Sequence, residues 1–197
     1  MNLLERRAFY WSEVMQTDMS AQVQAARSGA REAWDALFAR YQLPLFAYVR
    51  DLVRDREASL DIIQEAFIAA ARHLDTLRDD AKFGSWLFGI ARQKCVHHWR
   101  RTGRAGKVFD DEPLPDDAAG PDDESPGTWL IRREREQDFA AALERLPPAH
   151  REALTLHFLD EFPLEEIAAV TGVPLGTVKS RVHHAKKKLR ELLEEKP

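Results

Sequence analysis

Two stretches of this chain combine residue types that act on nucleic acid. The first is FGSWLFGIARQKCVHHWRR, residues 83–101, where Phe83, Trp86, Phe88 and Trp99 stand among Arg92, Lys94, Arg100 and Arg101. No Asp or Glu occurs from residue 81 through 109. Rings stack on unpaired bases, cations follow the phosphates, and an acid beside them would repel the strand. An amphipathic core helix whose charges only meet water fits the same residues. The second stretch, 163–193, reads LEEIAAVTG, then Val173-Pro174, then LGTVKSRVHHAKKKLRELL. Gly172 suits the left-handed residue that ends a helix, and Pro174 suits the first turn of the next. From Ile167 through Arg190 there are six lysines and arginines and no acid. A short helix, a sharp turn and a longer basic helix make the helix-turn-helix pattern, whose second helix enters the major groove through its N-terminal residues. Thr177, Lys179, Ser180, Arg181, His183 and His184 are its base-reading candidates, with Lys186, Lys187 and Lys188 expected on phosphates. A helical hairpin with a solvated basic face is the plainer alternative.

Other chemistries lack their residues. Cys95, His97 and His98 are near neighbours, but adjacent helical positions point apart and no second cluster has zinc-ligand spacing, so no metal or other cofactor is expected. No spaced nucleophile–base set or phosphate loop occurs, and the chain is not expected to be an enzyme. A single cysteine excludes an intrachain disulfide and suits a reducing cytoplasm, the expected location. No apolar run approaches the roughly 20 residues of a membrane span. Glu5 and Glu13 argue against a signal peptide.

The elements that must position these stretches are helical. Ala33, Trp34, Leu37, Phe38 and Tyr41 form a stripe of helical period, Pro44 interrupts it, and Leu45, Tyr48, Val49, Leu52 and Val53 resume it. After a polar break at 54–59, Ile62, Ile63, Ala66, Phe67, Ala70, Leu74 and Leu77 make another stripe, followed by a loop at 78–82. The net charge of −4 conceals a segregation: residues 108–128 hold eight acids, four prolines and no base, and setting those acids aside leaves +4. Such a segment buries too little apolar surface to order itself and reads as an extended linker. The expected architecture is therefore all-α, with two small helical domains joined by an acidic Pro-rich linker and a helix-turn-helix in the second. The boundaries are an N-terminal extension at 1–20, a first domain at 21–105, the linker at 106–128 and a second domain at 129–197. Residues 1–18 carry Leu3, Leu4, Phe9, Tyr10 and Trp11. Two readings of them stand open: a docking helix, or a translation start at Met19.

The motifs in this order resemble the extracytoplasmic-function (ECF) sigma factors of the sigma-70 family, from about residue 25 to 193. DIIQEAF at 61–67 is similar to the segment that grips the clamp helices of RNA polymerase. FGSWLFGIARQ…HHWRR is similar to the part that opens the minus-ten promoter element, and 146–189 to the domain that reads the minus-thirty-five element. The resemblance implies a promoter-specificity subunit whose partners are core RNA polymerase and promoter DNA, as duplex and as melted strand. It places Asp61, Gln64, Glu65 and Phe67 on the polymerase. It places the minus-ten element on Arg78, Lys82, Phe83, Gln93, His97, Arg100 and Arg101, with the 78–82 loop capturing a flipped-out base. The minus-thirty-five element falls to Thr177, Lys179, Ser180, Arg181, His183 and His184. Within the first stretch the rings are expected to divide, with Phe83 toward the strand and Trp86 packed inside.

Three departures from the family pattern bear on this. Gln93 stands where Asn is usual and His97 where Asp is frequent. Ala58, Ser59, Leu60 and Asp61 replace an acidic run, keeping one of its three acids. Some members without these acids are switched by phosphorylation, so the resemblance makes Ser59, three residues after Arg56, a candidate site for a Ser/Thr kinase. An anti-sigma factor is the other implied regulator. The plain role of Ser59 is to cap the helix that begins at Leu60. The rival to the whole reading is a stand-alone helix-turn-helix regulator with a helical sensor domain.

Overall fold

The computed structural model describes residues 18–103, 136–158 and 160–194. The 106–128 linker and nearly all of the N-terminal extension lie outside them. The chain forms two compact units whose main boundary falls between Gly103 and Arg104. All regular elements among the described residues are helices.

The first unit holds α1 (Met19–Arg27), α2 (Arg31–Val53), α3 (Arg56–His73) and α4 (Phe83–Arg101), with short 3-10 turns at Leu74–Thr76 and Asp80–Lys82. Asp18 caps α1, accepting from the Ser20 and Ala21 amides at 3.0 and 3.3 Å. Gly29 at φ 87° turns the chain into α2, and Trp34 Nε1 donates back to the Ala26 carbonyl at 3.1 Å. The Ala26 carbonyl, near the end of α1, accepts from the Gly29 amide as well, at 3.0 Å.

Pro44 does not interrupt the helix as expected. α2 runs unbroken through it for 23 residues. A mid-helix proline cannot donate an i→i−4 bond. Here Pro44 is itself buried, between Tyr41, Leu45 and Tyr48 on the same buried face, so packing outweighs the lost bond. The break after α2 is also shorter than 54–59. Arg54 takes a left-handed φ of 59°, Asp55 caps the Ala58 amide at 3.0 Å, and α3 starts at Arg56.

α4 packs against both α2 and α3. Its residues Phe83, Leu87, Phe88, Ala91 and Cys95 have no exposed surface. Phe83 meets Tyr41, Trp86 and Trp34 at ring-centroid distances of 5.5, 5.9 and 6.4 Å, and Phe88 meets Tyr48 at 5.1 Å. Burying each such ring contributes roughly 1.5–3 kcal/mol.

The second unit holds α5 (Glu136–Glu144), α6 (Pro148–Phe158), α7 (Leu164–Thr171) and α8 (Leu175–Glu194). Pro148 opens α6, where a missing N–H costs nothing. α8 packs on α6 and α5 through Val178, Val182, Ala185, Leu189 and Leu192, all buried at the expected spacing. Between α7 and α8, Gly172 adopts φ 72° and its amide bonds the Ala168 carbonyl at 2.9 Å. The Val178 amide bonds the Pro174 carbonyl at 3.1 Å. Helix, left-handed glycine and helix give the expected helix-turn-helix.

Candidate nucleic-acid interface

In the first unit the solvent side of α4 carries a continuous stripe at helical spacing. Gln93, His97 and Arg100 are exposed, Trp86 and Ile90 extend the stripe half-buried, and Arg101 flanks it exposed. Arg78 and Lys82 are exposed in the loop before the helix. Six of the seven expected minus-ten residues thus lie on an open surface of this unit.

Phe83 is the exception. It has no exposed surface, because the first turn of α4 is driven into the cage of Trp34, Tyr41 and Trp86. A ring so enclosed cannot stack on a base. The expected division of the rings is reversed: Phe83, Phe88 and Trp99 are core, and Trp86 is the half-exposed one. The signal was present in the spacing, since Phe83, Leu87, Ala91 and Cys95 form one buried row while Trp86, Ile90, Gln93 and His97 form the outer row.

On α3, Asp61, Gln64 and Glu65 are exposed and Phe67 is half-buried, its ring 4.8 Å from that of Phe38. Glu65 is not wholly free for a partner, because Lys94 Nζ lies 3.2 Å from its carboxylate and ties α3 to α4. Such an exposed pair contributes at most about 1 kcal/mol and exchanges readily. Leu60, Ile68 and Phe38 add exposed apolar surface to this unit at 46%, 44% and 44% exposure. Sequence reasoning missed them, although Leu60 and Ile68 both fall outside the buried stripe of Ile62, Ile63, Ala66 and Ala70.

Ser59 departs from both roles expected of it. It lies one turn inside α3 rather than at its cap, has no exposed surface, and its hydroxyl donates to the Asp55 carbonyl. A kinase cannot reach that hydroxyl unless the first turn of α3 opens.

In the second unit, Lys179 is exposed and Thr177, Ser180, His183 and His184 are half-buried along α8. Arg181 is only 3% exposed and is corrected from groove-facing to buried. Its position explains this, three residues after Val178 and next to Val182 on the packed row. Lys186 is likewise only 7% exposed, its ammonium 5.1 Å from the centre of the Phe158 ring, so it is held within the unit rather than on phosphate. Lys187, Lys188 and Arg190 are exposed, and Lys188 pairs with Glu191 at 3.2 Å. Lys179, His183, Lys187 and Arg190 then make a solvent-side basic row, to which sequence reasoning had not assigned Arg190. His184 packs its ring near those of His150 and His183, at 6.4 and 5.5 Å.

No group of three or more metal-ligating side chains occurs among the described residues, nor any helix long and apolar enough to cross a membrane.

Comparison with known proteins matches both units. Residues 37–105 match the family model for Sigma-70 region 2, and residues 136–189 that for Sigma-70, region 4. The RNA polymerase sigma-H factor of Pseudomonas aeruginosa is 33% identical over 177 residues, covering 87% of this chain and 92% of that protein. The ECF RNA polymerase sigma-E factor of Escherichia coli K12 is 32% identical over 169 residues, with coverages of 83% and 88%. Among solved structures, the sigma factor RpoE of Bartonella quintana, crystallised with the anti-sigma factor NepR, matches with a TM-score of 0.59 and 27% identity, over 83% of this chain and 98% of that one. CnrH, solved with the cytosolic domain of CnrY, shares the fold with a TM-score of 0.60 at 24% identity, over 91% and 99%. With two family-matched helical units in the same order, one ending in a helix-turn-helix, the chain belongs to the extracytoplasmic-function sigma factors of the sigma-70 family.

Proposed function

We propose that this sigma factor recruits core RNA polymerase through the outer face of α3, opens the minus-ten element with the 78–82 loop and the outer stripe of α4, and reads the minus-thirty-five element with the first turns of α8. Sigma factors are non-enzymatic promoter-specificity subunits, so the work is binding and selection. The observation that carries the reading is the pairing of two basic helical stretches without acids, 83–101 and 175–190, one in each family-matched unit. Asp61, Gln64, Glu65 and Phe67 serve polymerase. Arg78, Lys82, Gln93, His97, Arg100 and Arg101 serve the melted strand, where unstacking a base costs a few kcal/mol that polymerase engagement offsets. Thr177, Lys179, Ser180, His183 and His184 serve the duplex.

Control by an anti-sigma factor is the regulation this chain supports best. RpoE was crystallised with its anti-sigma factor NepR, whereas the Ser59 hydroxyl is sealed inside α3.

The test is run-off transcription on genomic fragments with bacterial core polymerase. Purified chain plus core should start at discrete sites where core alone does not, and the chain alone should bind those promoters weakly. Tight, specific duplex binding by the isolated chain would favour the stand-alone regulator instead. Ser59→Glu should be no more active than Ser59→Ala. A clear gain from Ser59→Glu would return phosphorylation to consideration.

A further inference from the structure

The loop that precedes α4 is held by a residue belonging to neither basic face. Arg27, the last residue of α1, reaches across the fold with both terminal nitrogens of its guanidinium. Nη2 donates to Asp80 Oδ1 at 2.6 Å and to the Leu77 carbonyl at 3.2 Å, and Nη1 donates to Asp80 Oδ2 at 3.2 Å. Asp75 lies 3.9 Å from Nε. The bond from Arg27 holds the Asp80 carboxyl below the usual carboxylate range, and the same bond raises the guanidinium. A planar fork on a carboxylate adds geometric specificity to the charge attraction.

We propose that Arg27 is a positioning residue for promoter opening: by clamping Leu77 and Asp80 it sets the conformation in which the 78–82 loop takes an unstacked promoter base. This rests on the role given to that loop above. The two clamped points bracket Arg78, and Lys82 stands two residues past Asp80, directly before α4, so the cations offered to the strand lie between the clamp and the start of the helix. The remaining ties are local. Asp79 accepts from the Ala81 amide at 3.1 Å, the Lys82 amide bonds the Asp79 carbonyl at 3.0 Å, and the Lys82–Asp79 ion pair spans 3.8 Å with both side chains more than half exposed. An exposed pair of that kind holds little. Arg27 also neutralises Asp80, which would otherwise join Asp79 in repelling the phosphates that Arg78 and Lys82 attract.

The experiment measures run-off transcription by the full chain with core polymerase, on a promoter mapped from genomic fragments and on variants carrying each other base at every minus-ten and minus-thirty-five position. Arg27→Ala should flatten base preference by about tenfold at one or two adjacent minus-ten positions, comparable to what one specific base contact supplies. Preference at the minus-thirty-five element should be unchanged. Arg27→Lys, which keeps the charge and loses the fork, should fall between, and Arg27→Asp combined with Asp80→Arg should recover much of the preference. If Arg78→Ala and Lys82→Ala lose that preference while Arg27→Ala keeps it, the role of Arg27 is overturned and the loop reading survives. If none of these variants alters it, the loop reading fails and takes the proposal with it. Equal losses at both promoter elements, together with a lowered thermal midpoint, would reduce Arg27 to a structural residue and overturn the proposal.

Discussion

α4 and α8 are nearly equal in length, at 19 and 20 residues, and both are basic, yet they bury opposite kinds of side chain. α4 sends three of its four rings inward and leaves a mixed outer row of Trp86, Gln93, His97 and Arg100. α8 buries an aliphatic row but takes two cations, Arg181 and Lys186, in with it. The segments that introduce them differ as well. The turn before α8 is set locally, by Gly172 and its bond to Ala168. The loop before α4 is set by a residue 53 positions away. A helix that docks into a duplex groove needs a rigid entry angle, which one left-handed glycine supplies. A surface that receives a single unstacked base needs a shaped loop, and here that shape depends on the tertiary fold.

The comparison breaks most decisively at Phe83. Because its ring is wholly buried among three others, Phe83→Ala should destabilise the first unit by about 3–5 kcal/mol. Urea or thermal unfolding of the full chain should show the loss in the transition of that unit. Trp86→Ala, on the half-exposed ring, should cost much less stability and instead impair transcription from duplex promoters more than from templates already opened over the minus-ten region. A stable Phe83→Ala chain with a melting defect would restore that ring to the strand.

The second test is at the buried cation of α8. Arg181 is 3% exposed, so Arg181→Ala should lower stability of the second unit by roughly 2 kcal/mol through lost packing of its long side chain. Lys179→Ala, from an exposed position, should leave unfolding unchanged and weaken minus-thirty-five binding. If Lys179 meets phosphate, the slope of log affinity against log salt should fall by about 1. If it meets a base edge, preference at one position should relax by roughly 1–3 kcal/mol. Unaltered unfolding in Arg181→Ala would put that side chain back in the groove.

These contrasts show which features a sequence displays. Helical class, the division into two units and the helix-turn-helix were legible because period and punctuation are local: the Val178, Val182, Ala185, Leu189 row and Gly172 both behave as their spacing implies. The exposure of Gln93, His97, Arg100 and Lys179 was legible for the same reason. Residue type misled where it was weighed above position. Phe83 looked like a stacking platform and Arg181 like a groove contact, yet both sit on the buried row of their own helix. Pro44 looked like a break because the packing that retains it comes from other turns and elements. Arg27 was invisible, since its partners lie about 50 residues away and nothing in an isolated Arg announces a distant carboxylate.

The smallest expected effect tests the local half of the comparison. A Cβ added at Gly172 meets nothing within 4 Å, so Gly172→Ala carries no clash, and its cost is the left-handed backbone at φ 72°. For a non-glycine residue that is of order 1 kcal/mol. The variant should lower the thermal midpoint of the second unit by a few degrees, while base preference at the minus-ten element stays as it was. Gly172→Asn, whose side chain tolerates that conformation better, should recover part of the loss. If Gly172→Ala also disturbed minus-ten preference, the turn before α8 would not be the self-contained device that its short hydrogen-bonded geometry implies.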